Sequence, residues 1–219
     1  SCDGIVHGLR LIKSRAEIDC LREAGRQACL GYQKLMETAV PGNTERMAAG
    51  AAEGAARMAG AEHVVFTVFG SGPRAATIIG RATNKVIADG DMVMAAFALQ
   101  YEGYVVTAEY PFVAGRASPA QKKFLGALFE AANVQLEHLM PGAMARDMVR
   151  AVRQVFKKHG LEKYDVYPPM HGIGLAEAES PYPDEKADYP FRAGMCVNSD
   201  ISLFGHPDGS NRIEESFVI

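Results

Sequence analysis

The chain has 219 residues, 48% of them hydrophobic, and a formal net charge of −3. That length suffices for one large domain or two small ones with a sizeable core, and the near-neutral charge gives no electrostatic footprint for nucleic acid or an anionic membrane. No apolar run approaches the roughly 20 residues needed to span a bilayer, and the opening SCDGIVHGLRLIKS lacks the apolar stretch of a secretory signal.

Residues 14–40 carry apolar side chains at helical spacing, with Ser14 and Glu17 forming a capping box at the start. Residues 41–60 read as a second helix, with Asn43 or Thr44 as its N-cap. HVVFTVFGSG is a strand running into a glycine turn, and residues 90–115 form two strands joined by a tight turn at Glu102-Gly103. GSGPRAATIIG has glycines like those of a phosphate loop, but neither spacing nor context fits a nucleotide fingerprint. A long amphipathic helix over 118–140 and another over 141–160 follow. PYPDEKADYP suits an exposed loop, and strands return in AGMCVNSDISLFG and RIEESFVI. Cys2, Cys20, Cys29 and Cys196 show no CxxC spacing and no framework pattern, so they read as reduced thiols of a cytoplasmic protein. The ten methionines read as core filler, and His63, His138 and His159 carry no assigned role.

A repeat is visible in this order. Pro41-Gly42, Arg46 and Gly60 recur one hundred residues later as Pro141-Gly142, Arg146 and Gly160. Each copy follows a long helix and precedes strand-like sequence. Two such α-α-β halves would pack with their sheets meeting at a central cleft, the usual place for a site.

His171, in PPMHGIGLAEAESP, reads from the residues alone as a metal ligand, a catalytic base or a satisfied core histidine. The stretches IKSRAEIDCLREA, PGNTE, SGPRAATIIGRATNKVIADGDMV, YEGYVVTAE, HGIGL, AGMCVNSD and NRIEES span nearly the whole chain. Together they resemble the catalytic domain of the creatinase/aminopeptidase family. The resemblance implies an α+β pita-bread fold with a pseudo-two-fold internal repeat, over residues 1–219 as a single domain. Longer members carry an additional N-terminal domain and are commonly dimers, so a homodimer is expected of a full-length parent, with a more open cleft here.

Peptidases of the family hold two divalent metals with two aspartates, a histidine and two glutamates, because paired cations need bridging carboxylates to offset their repulsion. By this resemblance the aspartate positions are Ala96 and Thr107, the histidine is His171, and the glutamates are Asp200 and Glu214. A dinuclear site is therefore not expected. A single, weakly bound divalent ion at His171, Asp200 and Glu214 is the minor alternative, since the shorter Asp200 withdraws its carboxylate by about 1.5 Å. Two further family histidines are replaced by Ile79 and Ala178. Creatinase, a metal-free member, also lacks the aspartate pair and has a glutamate six residues after the hairpin glycine, matched here by Glu109 after Gly103.

The resulting expectation is a hydrolase of C–N bonds, with His171, Asp200 and Glu214 catalytic and Glu109 and His206 binding substrate. The substrate would be a small, cationic molecule or a peptide, with no dinuclear metal. The alternative is an inactive module that binds a peptide or protein partner. A histidine filling the space at Ile79 would favour the enzyme, and an apolar seal the binder.

Overall fold

A computed structural model describes residues 3–219; Cys2 lies outside them. Helix α1 (Asp3–Leu11) is followed by α2 (Arg15–Thr38). The first was not anticipated from the sequence, because Gly4 and Gly8 weaken the helical signal. The second starts at the expected capping box, where Ser14 Oγ accepts from Glu17 N–H and Glu17 Oε2 accepts from Ser14 N–H at 2.7 Å. It buries Leu21, Ala24, Ala28, Tyr32 and Leu35, one face at helical spacing. Thr44 caps α3 (Glu45–Met58), its Oγ1 accepting from Met47 N–H at 3.2 Å, while Asn43 instead donates to Thr38 O.

Strands β1 (His63–Ser71), β2 (Met92–Tyr101), β3 (Tyr104–Ala108) and β4 (Phe112–Val113) make one antiparallel sheet in the order β1-β2-β3, with β4 also on β2. The predicted tight turn joins β2 to β3. Glu102 and Gly103 both have positive φ (49° and 82°), the left-handed pair that matches strand twist in a two-residue hairpin. Helices α4 (Pro119–Leu136) and α5 (Ala145–Lys158) follow, then β5 (Met170–Gly172), β6 (Cys196–Ser199), β7 (Ile201–His206), β8 (Gly209–Ile213) and β9 (Ser216–Val218). Strands β5, β6 and β9 pair in one sheet, and β7 and β8 in another.

The repeat is present in the backbone. Gly42, Glu45 and Arg46 donate their N–H groups to the carbonyls of Ile87, Lys85 and Thr83. Gly142, Ala145 and Arg146 donate to those of Phe191, Tyr189 and Ala187. Bridges Thr44–Val86 and Met144–Pro190 complete the same clasp twice. One apolar core lies against α2 and α3, a second against α4 and α5. Val68, Met94, Ala96 and Phe204 form a smaller cluster between strands of the two halves.

Two breaks in the predicted strands matter most. AGMCVNSDISLFG is interrupted at Asp200, where the chain leaves the β5-β6-β9 sheet for the β7-β8 pair. RIEESFVI is interrupted at Glu214, where it returns. Glu214 then makes an isolated bridge to Glu109, just past β3, with N–H to O distances of 2.9 and 3.0 Å. Both acidic residues therefore stand at the seam between sheets.

Candidate functional site

A cavity of about 510 Å³ opens at this seam. His171, Asp200 and Glu214 line it, as expected for a joint site. His171 reaches it from β5, and its Nδ1 lies 3.0 Å from the Gly172 carbonyl. That carbonyl can only accept, so the proton sits on Nδ1 and Nε2 is left as the base facing the cavity. The nearest carboxylate oxygen is Glu177 Oε1, 3.6 Å from Nε2, longer than a hydrogen bond and close enough to form an ion pair once the ring is protonated. Glu177 in turn accepts from Thr107 Oγ1 at 3.3 Å. Thr107 and His171 thus meet through Glu177, which nothing in the sequence singled out.

Arg212 was missed as well, although it stands in the quoted NRIEES. It is 8% exposed, lines the cavity from the end of β8, and its Nε lies 2.6 Å from Glu109 Oε2 and 2.8 Å from Glu214 Oε1. Asn198 Nδ2 donates to the other Glu214 oxygen at 3.3 Å. The only sequence signal for Arg212 was a basic residue two places before a candidate acid, which has many meanings on a strand.

This geometry corrects two expectations. Glu109 does not face the cavity: it is wholly buried behind Arg212, with which it pairs. Its isolated strand-end position gave no hint of a long-range arginine. His206 does not reach the cleft either. Its ring stacks on Phe124 at 5.1 Å and meets Tyr164 edge-on at 4.8 Å, and it lines separate depressions with Asp208. A helix-packed ring has no path to the seam. One guanidinium, that of Arg212, lies among the carboxylates of Glu109, Asp200 and Glu214.

Their charges are mutually constrained. Two like charges 4 Å apart at an effective dielectric of 20 repel by about 4 kcal/mol, so one arginine cannot support three ionised neighbours. Burial pushes Glu109 up to about 7, with the charge of Asp200 adding to it and Arg212 opposing it. Burial likewise holds Asp200 above its ordinary range and Glu214 well above it. Burial would lower Arg212, but the surrounding carboxylates Glu109, Glu214 and Asp200 outweigh it and keep the guanidinium charged. Asp200 Oδ1 and Glu109 Oε1 are buried without a hydrogen-bond partner among the described residues, which adds to the cost of ionising either carboxyl.

The residues present do not fit a pair of metal ions. Ala96 has no donor, Thr107 spends its hydroxyl on Glu177, and Glu214 is engaged by Arg212 and Asn198. Among the described residues no group of three His, Cys, Asp or Glu side chains is arranged to hold an ion. The remaining wall is apolar, with Phe66, Val68, Ile79, Tyr167 and Tyr182. At Ile79 no histidine lines the cavity; the side chain is 78% exposed, and Ala178 stands nearby.

The chain belongs to metallopeptidase family M24, whose model matches residues 19–219. It is 28% identical over 218 residues to a Xaa-Pro dipeptidase of Pyrococcus furiosus, covering 99% of this chain and 63% of that protein. Against a probable dipeptidase PepE of Mycobacterium tuberculosis it is 28% identical over 216 residues, covering 98% of this chain and 58% of that protein. The solved prolidase from Pyrococcus furiosus superposes with a TM-score of 0.94 at 28% identity, over 99% of this chain and 65% of that one. Dipeptidase PepE from Mycobacterium ulcerans gives 0.93 at 29%, over 100% and 59%. The chain thus spans about three fifths of the length of these relatives. The fold is the α+β pita-bread fold expected from the sequence. No helix among the described residues is long and apolar enough to cross a membrane.

Proposed function

We propose that this chain is the hydrolytic part of a peptidase-family enzyme that cleaves a C–N bond, amide or amidine, of a small cationic substrate or a peptide, without a dinuclear metal centre. The position of Arg212 is the main support. Its guanidinium lies against Glu109 and Glu214 and supplies the positive charge that a carboxylate-rich seam requires. In this reading a water beside His171 Nε2 adds to the substrate carbon as the ring takes its proton. Glu177 stabilises the imidazolium, and the proton then passes to the departing nitrogen as the C–N bond breaks. Asp200, with its raised pKa, donates a hydrogen bond to the oxygen or nitrogen on which charge develops. An ammonium or guanidinium group on the substrate finds Glu177, whose carboxylate is half-buried in the wall. A cytoplasmic setting is part of the proposal, in keeping with free thiols at Cys20, Cys29 and Cys196.

One observation favours a second reading, a module that binds a peptide without cleaving it. The wall formed by Phe66, Val68 and Ile79 is apolar where the resemblance expects a histidine. The two readings separate in one set of measurements. The purified protein is analysed for transition metals, then assayed on Xaa-Pro dipeptides and on creatine-like amidines with and without a chelator, alongside His171→Ala. The hydrolase reading expects well under one equivalent of metal and a turnover that chelation leaves unchanged and His171→Ala removes. Stoichiometric manganese, iron, cobalt or zinc that is lost in His171→Ala overturns the metal-independent reading. Binding without turnover supports the second.

A further inference from the structure

A second cavity, of about 720 Å³, lies between α3, β1 and residues 79–82. It shares Phe66, Val68 and Ile79 with the cleft, so the two adjoin as neighbouring parts of one trough with Ile79 at the junction. An isoleucine that is 78% exposed there is an apolar surface awaiting a contact. Beyond it stand Arg46, Arg57 and Arg81. Arg46 Nη1 donates to the neutral Asn84 Oδ1 at 3.1 Å, and Arg57 donates to the Glu62 carbonyl. Among the described residues none of the three pairs with a carboxylate. The one acid lining this second cavity, Glu53, accepts from Thr67 Oγ1 at 2.7 Å. A net positive groove in a chain of charge −3 is a local arrangement, and the other half of the molecule lacks it. There Arg146 pairs with Asp188, Arg150 with Asp147, and Arg153 with both Asp165 and Glu185.

The shape of the trough selects an extended chain. Strand β1 is an edge of its sheet, bridged on its outer side only at Val68 by Arg81 among the described residues. A peptide running beside such an edge presents its backbone to the strand and its side chains to the walls. We propose that the trough is a carboxylate-binding subsite continuing the cleft. A peptide whose leading end sits beside His171 crosses Ile79 and sets acidic side chains, or its C-terminal carboxylate, against Arg46, Arg57 and Arg81. The inference rests on the peptide form of the reading above.

The test uses anisotropy with the 219-residue chain and dye-labelled, C-terminally amidated peptides. Ala-Pro-Gly-Glu-Glu is compared with Ala-Pro-Gly-Gln-Gln and with the tail Gly-Glu-Glu alone. Exposed arginine–carboxylate pairs each add up to about fivefold in affinity, so the Glu tail should bind about fivefold to tenfold more tightly than the Gln tail at low salt. The advantage should fall to within twofold in Arg57→Gln/Arg81→Gln and in 0.5 M NaCl, and persist in the remote control Arg22→Gln. Equal affinity for the two tails overturns the subsite and leaves the peptide reading standing. If neither five-residue peptide binds, yet Gly-Glu-Glu binds the parent chain and not Arg57→Gln/Arg81→Gln, the carboxylate site stands and the peptide reading falls. No binding by any of the three overturns both.

Discussion

In the N-terminal half, Gly42, Glu45 and Arg46 hand their N–H groups to residues 83–87, and one repeat later Gly142, Ala145 and Arg146 hand theirs to residues 187–191. Inside these matching clasps the side chains differ. Helix α3 buries Ala48, Ala49, Ala52 and Ala56, where α5 buries Met148, Val149, Val152 and Phe156. The small residues let helices approach: a Cβ added at Gly31 of α2 would lie 2.8 Å from the Phe97 ring and 3.1 Å from the Ala52 carbonyl. Counted from the two N-cap serines, Gln135 of α4 falls where Gly31 does, and it reaches Pro169 O at 2.7 Å with its side chain. The polar residues also diverge. Glu45 is wholly buried and ties Ser71, Arg74 and Thr83 together, which anchors both ends of the segment bearing Ile79. Its counterpart Ala145 does nothing of the kind. One half is filled by side-chain volume, and the other by close backbone approach and a buried acid that shapes the cleft wall.

The strongest way to break this contrast is Phe156→Ala. It empties a site that only volume fills and should cost about 3–5 kcal/mol in chemical denaturation. A loss under 1 kcal/mol would mean that α5 is not packed by size.

Acidification separates the buried acids by sign. Burial alone would raise Glu45, but hydrogen bonds from Thr83 and Ser71 outweigh it and hold the carboxyl below its ordinary value. Its contribution is therefore present above the unfolded pKa of about 4.3 and lost as pH falls through the lower folded value. Glu45→Gln should cost about 1.5–3 kcal/mol near neutrality, and the gap to the parent should close in acid. Glu109, raised to about 7 beside Arg212, Asp200 and Glu214, behaves oppositely. Its contribution is full below about 4.3 and lost as pH rises through about 7. Glu109→Gln should flatten the decline in urea midpoint between those values, and an unchanged slope would remove Glu109 from the titrating set.

Copying one half into the other gives smaller effects. Ala52→Val imports the residue found at Val152 and should destabilise by about 1–3 kcal/mol through overcrowding against α2. A neutral result would show room that the Gly31 contacts deny. Asn84→Asp imports the acid that pairs with Arg146. It should change stability by less than about 1 kcal/mol, yet reduce acidic-tail binding severalfold by capturing Arg46. Unaltered binding would exclude Arg46 from the carboxylate contacts.

Much of this molecule was legible before any coordinates. The capping box at Ser14, the Glu102-Gly103 turn, the helices over 118–140 and 141–160 and the one-hundred-residue repeat are local or periodic signals, and chain-local physics is enough to generate them. The resemblance also brought His171, Asp200 and Glu214 together, and they line one cavity. The short α1 escaped because its glycines dilute the pattern.

What the sequence determined by itself was most of the elements and their pairing into two halves. Only the tertiary structure decided how the remaining charges meet. Arg212 is remote from Glu109 in sequence, and their contact exists because the chain changes sheets at Asp200 and Glu214 and then bridges Glu214 to Glu109. The tertiary fold also buries Glu109 away from the cavity, sets Glu177 between Thr107 and His171, and stacks His206 on Phe124. A charge reports its value in sequence, but its partner, its burial and therefore its proton are properties of the folded seam.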